Sequence, residues 1–161
     1  MNKKILHFRS KFFPVIKQRL IDIFVQNLLE QISCSSKCII YKHVIEHFSL
    51  QYYLCKPIPY VYKKHISRIG LSSHNLEIET GRHKNTPREN RVCKFCKHDL
   101  EDEYHFVLIC PQYEELRHKH IKKYYWQKPS VFKFIQLLSI RNVHQLCNLG
   151  KYLHLKCEKT L

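Results

Sequence analysis

The feature that most limits what this chain can fold into is a compact series of metal-binding residue types. Cys93 and Cys96 form a C-x2-C pair, His105 follows after eight intervening residues and Cys110 after four more, so the pattern is C-x2-C-x8-H-x4-C. A C-x2-C pair lets one tight backbone turn present two thiolates to one ion. Cys3His is a usual tetrahedral set for zinc, whose filled d shell imposes no geometry of its own. The spacing predicts one structural Zn2+ held by Cys93, Cys96, His105 and Cys110. Four protein ligands leave no coordination position for a reactive water, so the ion is expected to fold the segment rather than to catalyse.

The second half of the pattern carries a geometric demand. His105 and Cys110 fall on a predicted helix that begins at the acidic run Asp99–Glu103, where Asp102 or Glu103 can cap it and complement its dipole. Five residues of regular helix turn through about 500°, leaving the two side chains about 140° apart. They reach one ion only if the helix ends or distorts before Cys110. Pro111 disfavours helical backbone at the residue before it, so Cys110 is expected to swing off the helix end and close the site.

The rest of the chain reads as mainly α: a small helical domain with an embedded Cys3His segment and at most a short strand pair. Residues 1–11 read as a basic tail. Apolar positions from Phe13 to Ile32 recur at helical steps, with Pro14 suited to the first turn. A second helix is expected over about 37–48 and a third from Pro59 to a cap at Gly70. Leu76–Glu79 alternates as a short strand does. A charged helix should follow Pro111 to about Tyr125. Two more are expected over about 130–139, burying Phe132, Ile135 and Leu138, and 142–157, burying Val143, Leu146, Leu149 and Leu153. The organisation predicted is an N-terminal helical segment (1–70), a zinc-binding segment (71–125) and C-terminal helices (126–161), together one compact unit.

Composition narrows the function classes. The 161 residues carry 28 Lys+Arg against 13 Asp+Glu, a formal net charge of +15, with eight Cys and three Gly. So little Gly argues against Gly-loop phosphate-binding architectures. No apolar run approaches a bilayer span, and the basic N-terminus lacks an apolar core and cleavage site, so the chain is expected to be neither membrane-bound nor secreted. An intracellular location, nucleus or cytoplasm, fits thiols kept reduced for metal binding; a disulfide framework is the competing reading of eight Cys. The charge suits a nucleic-acid partner. A lysine-rich coding bias gives the same charge without one, so charge alone leaves the partner open.

The stretches Leu71–Arg82, Thr86–Cys96 and Glu101–Pro111 resemble the C-terminal zinc-binding (Cys-Cys-His-Cys) region of non-LTR, LINE-type retrotransposon reverse transcriptase polyproteins. The similarity extends loosely from the helix at Gln18–Gln31 to Leu149–Leu153. The resemblance implies the same four ligands, binding to RNA or DNA (the element transcript or its target site), and a position downstream of a reverse transcriptase domain. It does not imply polymerase activity. Two-metal phosphoryl transfer needs an adjacent Asp pair, and the three Asp here (Asp22, Asp99, Asp102) are dispersed. Retroviral nucleocapsid knuckles have four residues between the second Cys and the His, where this chain has eight.

Basic residues cluster around the Cys/His segment, and Arg82, Arg88, Arg91, Lys94 and Lys97 are the candidate phosphate contacts. Phe95, Tyr104 and Trp126 could stack on bases, or Phe95 and Tyr104 pack around the metal and Trp126 in the core. A second basic run, Arg117 to Lys123, faces the same choice between a contact surface and a solvated helix. Cys34, Cys38, His43 and His47 imitate a second metal series, but only four residues separate Cys38 from His43, and packing is the expected role of these Cys and of Cys55, Cys147 and Cys157.

Overall fold

A computed structural model of the chain describes residues 3–45 and 50–160, with side chains described over 12–45 and 50–156. It is mainly helical, and the Cys3His cluster is embedded among the helices. Two compact units are present, residues 1–36 and 37–161. No helix among the described residues is long and apolar enough to cross a membrane.

The first unit is one helix, α1 (Lys3–Cys34). It starts ten residues before the expected Phe13, so residues 3–11 of the segment read as a basic tail are helical and Pro14 sits inside the helix. An interior Pro removes one hydrogen bond and crowds the preceding turn, at a cost of about 3 kcal/mol. The apolar side chains of α1 lie all round the axis rather than on one stripe, and Phe13 (68%) and Leu20 (63%) are among the many exposed.

In the second unit α2 (Tyr41–Val44) is much shorter than the 37–48 helix expected, of which residues 46–48 lie outside the described residues. α3 (Tyr60–Gly70) follows Pro59 as anticipated. The left-handed residue at its end is Ser72 (φ 49°), not Gly70, because the Ser72 hydroxyl is fixed by donating to Glu103 Oε1 at 2.6 Å. Glu103 also takes a 2.8 Å bond from His74 Nε2.

The alternating Leu76–Glu79 is not a strand. It opens α4 (Glu77–His83). A distant residue decides this: Glu101 accepts the Glu77 N–H on its side chain (2.8 Å) and the Ile78 N–H on its carbonyl (3.1 Å), satisfying two amides of the first turn. Glu77 and Glu79 at the start and Arg82 and His83 at the end also suit the dipole. The only strand-like pairing among the described residues is one antiparallel bridge, Val92 to Leu100.

After Pro111 the expected single helix divides into a short 3-10 turn, α5 (Glu114–His120) and α6 (Lys123–Trp126). The break at Ile121–Lys122 sinks Ile121 into the core, and Trp126 Nε1 donates to the Ile121 carbonyl at 2.9 Å. α7 (Val131–Leu138) is capped by Ser130, whose Oγ accepts from the Lys133 N–H. It buries Phe134, Leu137 and Leu138, while Phe132 faces solvent. α8 (Val143–Thr160) buries Leu146, Leu149, Tyr152 and Leu153, three of them anticipated.

α8 lies along α3, whose inner face is His65, Ile66 and Ile69. At Gly150 the approach is so close that an added Cβ would stand 2.3 Å from Tyr62 Cβ. Gly150→Ala must therefore push the two helices apart and is expected to destabilise the protein by about 1–3 kcal/mol. Gly70→Ala meets nothing within 4 Å and strains no backbone. It is expected to stabilise by about 0.4–1 kcal/mol. Urea denaturation of both variants checks the contrast.

Candidate metal centre

Three local structures build the site. The first is a knuckle between Val92 and Leu100. Cys93 N–H donates to the Asp99 carbonyl (2.8 Å) and Lys97 N–H to the Cys93 carbonyl (2.9 Å), with Lys97 in the left-handed region (φ 58°). This loop turns the Cys93 and Cys96 thiols to one side. The second is a π-helical turn, His105–Ile109, begun by Asp102, whose Oδ1 accepts the His105 N–H at 2.8 Å. The Cys110 N–H donates to the His105 carbonyl at 2.8 Å, so five residues close the hydrogen-bonded ring where an ordinary helix uses four. The third is the exit at Pro111: Cys110 is extended (φ −51°, ψ 122°). The demand read from the spacing is met by both means, distortion of the helix and departure from its end.

The four ligand atoms lie within 4.8 Å of one another, and no other group of three or more such residues is found among the described residues. Cys93 Sγ is 3.8 Å from Cys110 Sγ, and Cys96 Sγ is 3.4 Å from His105 Nε2. A tetrahedron with metal–sulfur bonds of about 2.3 Å and metal–nitrogen bonds of about 2.0–2.1 Å has S–S edges of about 3.8 Å and S–N edges of about 3.5 Å. The residues fit a metal ion, with His105 binding through Nε2.

Burial pushes the Cys93 thiol up to about 12 and the Cys110 thiol upward as well. The His98 backbone amide lowers Cys96, against a smaller opposing effect of burial. Burial holds His105 below its usual range, so the imidazole is neutral and ready to bind a metal. Its Nδ1 is buried, and the nearest carboxylate, Asp99 Oδ2, is 3.7 Å away. A metal-bound His usually donates its other ring N–H to a carboxylate or carbonyl, and exposed Asp99 would have to move closer than 3.7 Å to accept it.

Supporting residues extend beyond the ligands. Cys93 Sγ donates to Glu101 Oε1 at 3.6 Å. Buried Arg117 donates to the Val107 carbonyl (3.0 Å) and the Cys110 carbonyl, and the Tyr152 hydroxyl donates to the Phe106 carbonyl at 3.1 Å. These groups satisfy carbonyls that the π turn and its exit leave over. Arg117 thus belongs to the interior, although it opens the basic run 117–123. No sequence signal marks Asp99, Glu101 or Tyr152 for these roles.

The five candidate phosphate contacts divide. Arg88, Lys94 and Lys97 are exposed, Lys94 paired with Glu77 at 2.6 Å. Arg82 is half-buried and paired with Glu79 at 2.6 Å. Arg91 donates to the Thr86 and Ile78 carbonyls and lies over Gly81, so it clamps α4 to the knuckle. Phe95 is half exposed, its ring edge-on to Tyr113, and Tyr104 packs against Phe134. Cys34 and Cys55 are exposed rather than packed, and Cys38 and Cys147 are half-buried. His47 and the Cys157 side chain lie outside the described residues. No protein family, curated protein or solved structure matches the chain.

Two outcomes are expected. Metal binding at pH 7 should release about three protons per ion, one from each thiol, and affinity should fall as the pH is lowered. Calorimetry in buffers of different ionisation enthalpy measures this. Asp99→Ala should weaken metal binding about 10- to 100-fold with the fold intact, read by chelator competition.

Proposed function

We propose that this chain is a non-catalytic, zinc-binding, nucleic-acid-binding accessory region of a retrotransposon-derived reverse transcriptase. The observation that carries the reading is the closed Cys3His set beside exposed Arg88, Lys94 and Lys97, within the stretch whose sequence resembles the LINE-type region. One Zn2+ on Cys93, Cys96, His105 and Cys110 would hold the knuckle rigid and fix its basic side chains, and a rigid basic surface contacts phosphates at low entropic cost. All four positions are filled by protein, which supports a structural ion.

A specific observation favours a second role for the first unit. α1 taken by itself exposes Phe13, Val15, Leu20 and Ile23, and exposed apolar side chains in such number mark an interaction surface. Docking on a reverse transcriptase domain would cover them.

The zinc-loaded protein is expected to bind RNA or single-stranded DNA at low salt, with affinity falling steeply as salt rises. Neutralising Arg88, Lys94 and Lys97 together, with Arg91 left in place, should weaken binding and leave zinc stoichiometry at one. Unimpaired binding would favour the docking role for this region. Cys93→Ser and His105→Ala should each lower zinc content; unchanged stoichiometry in both would sink the metal assignment.

A further inference from the structure

The second unit holds a cleft that the metal centre does not use. It has a volume of about 300 Å³ and lies where α5, the Ile121–Lys122 break and α6 face α8. That is the lower end of the range for small-ligand sites. We propose that this cleft binds a nucleotide of a single-stranded nucleic acid, with Lys119, Lys122 and Lys123 on its phosphates and the His118–Trp126 stack against its base. The inference deepens the nucleic-acid reading above, on which it rests, by naming a contact surface outside the candidates around the knuckle.

Charge supplies the first argument. No Asp or Glu lines the cleft, and from Leu116 to Cys157 the sequence contains none. Lys119, Lys122 and Lys123 are exposed around it. His120 is held below its ordinary value by burial first and then by the charges of Lys151 and Lys119, a sign of a positive local field. Such a field attracts an anion.

Shape and ring chemistry supply the second. Trp126 lies parallel to His118, with ring centroids 3.9 Å apart and planes at 28°. Its N–H is tied to the Ile121 carbonyl, which fixes the ring. Glu114 Oε1 stands 3.7 Å from His118 Nε2, outside the cleft lining, and the His118 side chain is 42% exposed, so a further planar ring can extend the stack. Aromatic platforms beside a basic groove are how single strands are held without sequence preference. Gln145 and Asn148 add amide donors and acceptors. His118, His120 and His144 do not gather as a metal-ligand group among the described residues.

Trp126 is the only tryptophan, so its fluorescence reports on the cleft directly. The test titrates the zinc-loaded full chain with a labelled oligothymidine of about 20 nucleotides, following label anisotropy and Trp126 emission together. The expected result is saturable binding that quenches Trp126. The variant Lys119→Glu, Lys122→Glu, Lys123→Glu should bind at least about tenfold more weakly, and its log K against log salt slope should shrink by about 2. These lysines are exposed, so helix content and zinc stoichiometry should stay unchanged. Oligonucleotide binding with no change in Trp126 emission and equal affinity for the variant would overturn the cleft assignment and leave the nucleic-acid reading standing. No binding by the unaltered protein at low salt would overturn both. Equal quenching and equal competition by inorganic polyphosphate would reduce the cleft to an anion site and overturn the base contact.

Discussion

A histidine and a cysteine five residues apart have to reach the same point in space. A regular helix cannot do this, and a loop would not hold the two atoms in register. The chain widens the turn to the π form over His105–Ile109 and then lets Pro111 pull Cys110 into extended backbone. A widened turn ends with carbonyls pointing at no partner of their own. In a buried segment each one is costly unless something else donates to it. Arg117 from α5 and Tyr152 from α8 reach in to do so. The Cys3His geometry thus draws on two neighbouring helices, whose side chains satisfy the backbone that brings the four residues together.

That arrangement explains why charged and polar groups are so deeply placed in a small domain. Arg117, Glu101 and Glu103 are almost wholly buried, and each makes a hydrogen bond to a particular donor or carbonyl. Buried charges of this kind add little stability against an apolar core, but they fix one arrangement among many. Here Glu101 and Glu103 tie residues 72–78 to the chain just before the π turn, and Arg117 ties α5 to the turn itself.

How far the sequence was legible depended on the range of each cause. The ligands were readable because a C-x2-C pair and a Pro after the last Cys act within a few residues. The stripe Leu146, Leu149 and Leu153 was readable because helical periodicity is local. α4 was not, because its first two amides are satisfied by Glu101, more than twenty residues away, and Leu76–Glu79 alone alternates like a strand. The helix before Pro14 is not legible because Pro suits a helix's first turn, whereas here the chain runs through it. Arg91 and Arg117 look like surface charges in the sequence, and only the positions of distant carbonyls reveal them as clamps.

Glu101 joins two of these structures. One carboxylate oxygen receives the Cys93 thiol and the other receives the first N–H of α4. One buried carboxylate thus sets the place of both a candidate ligand and a helix start, so the knuckle and α4 share a single anchor and neither can shift without the other.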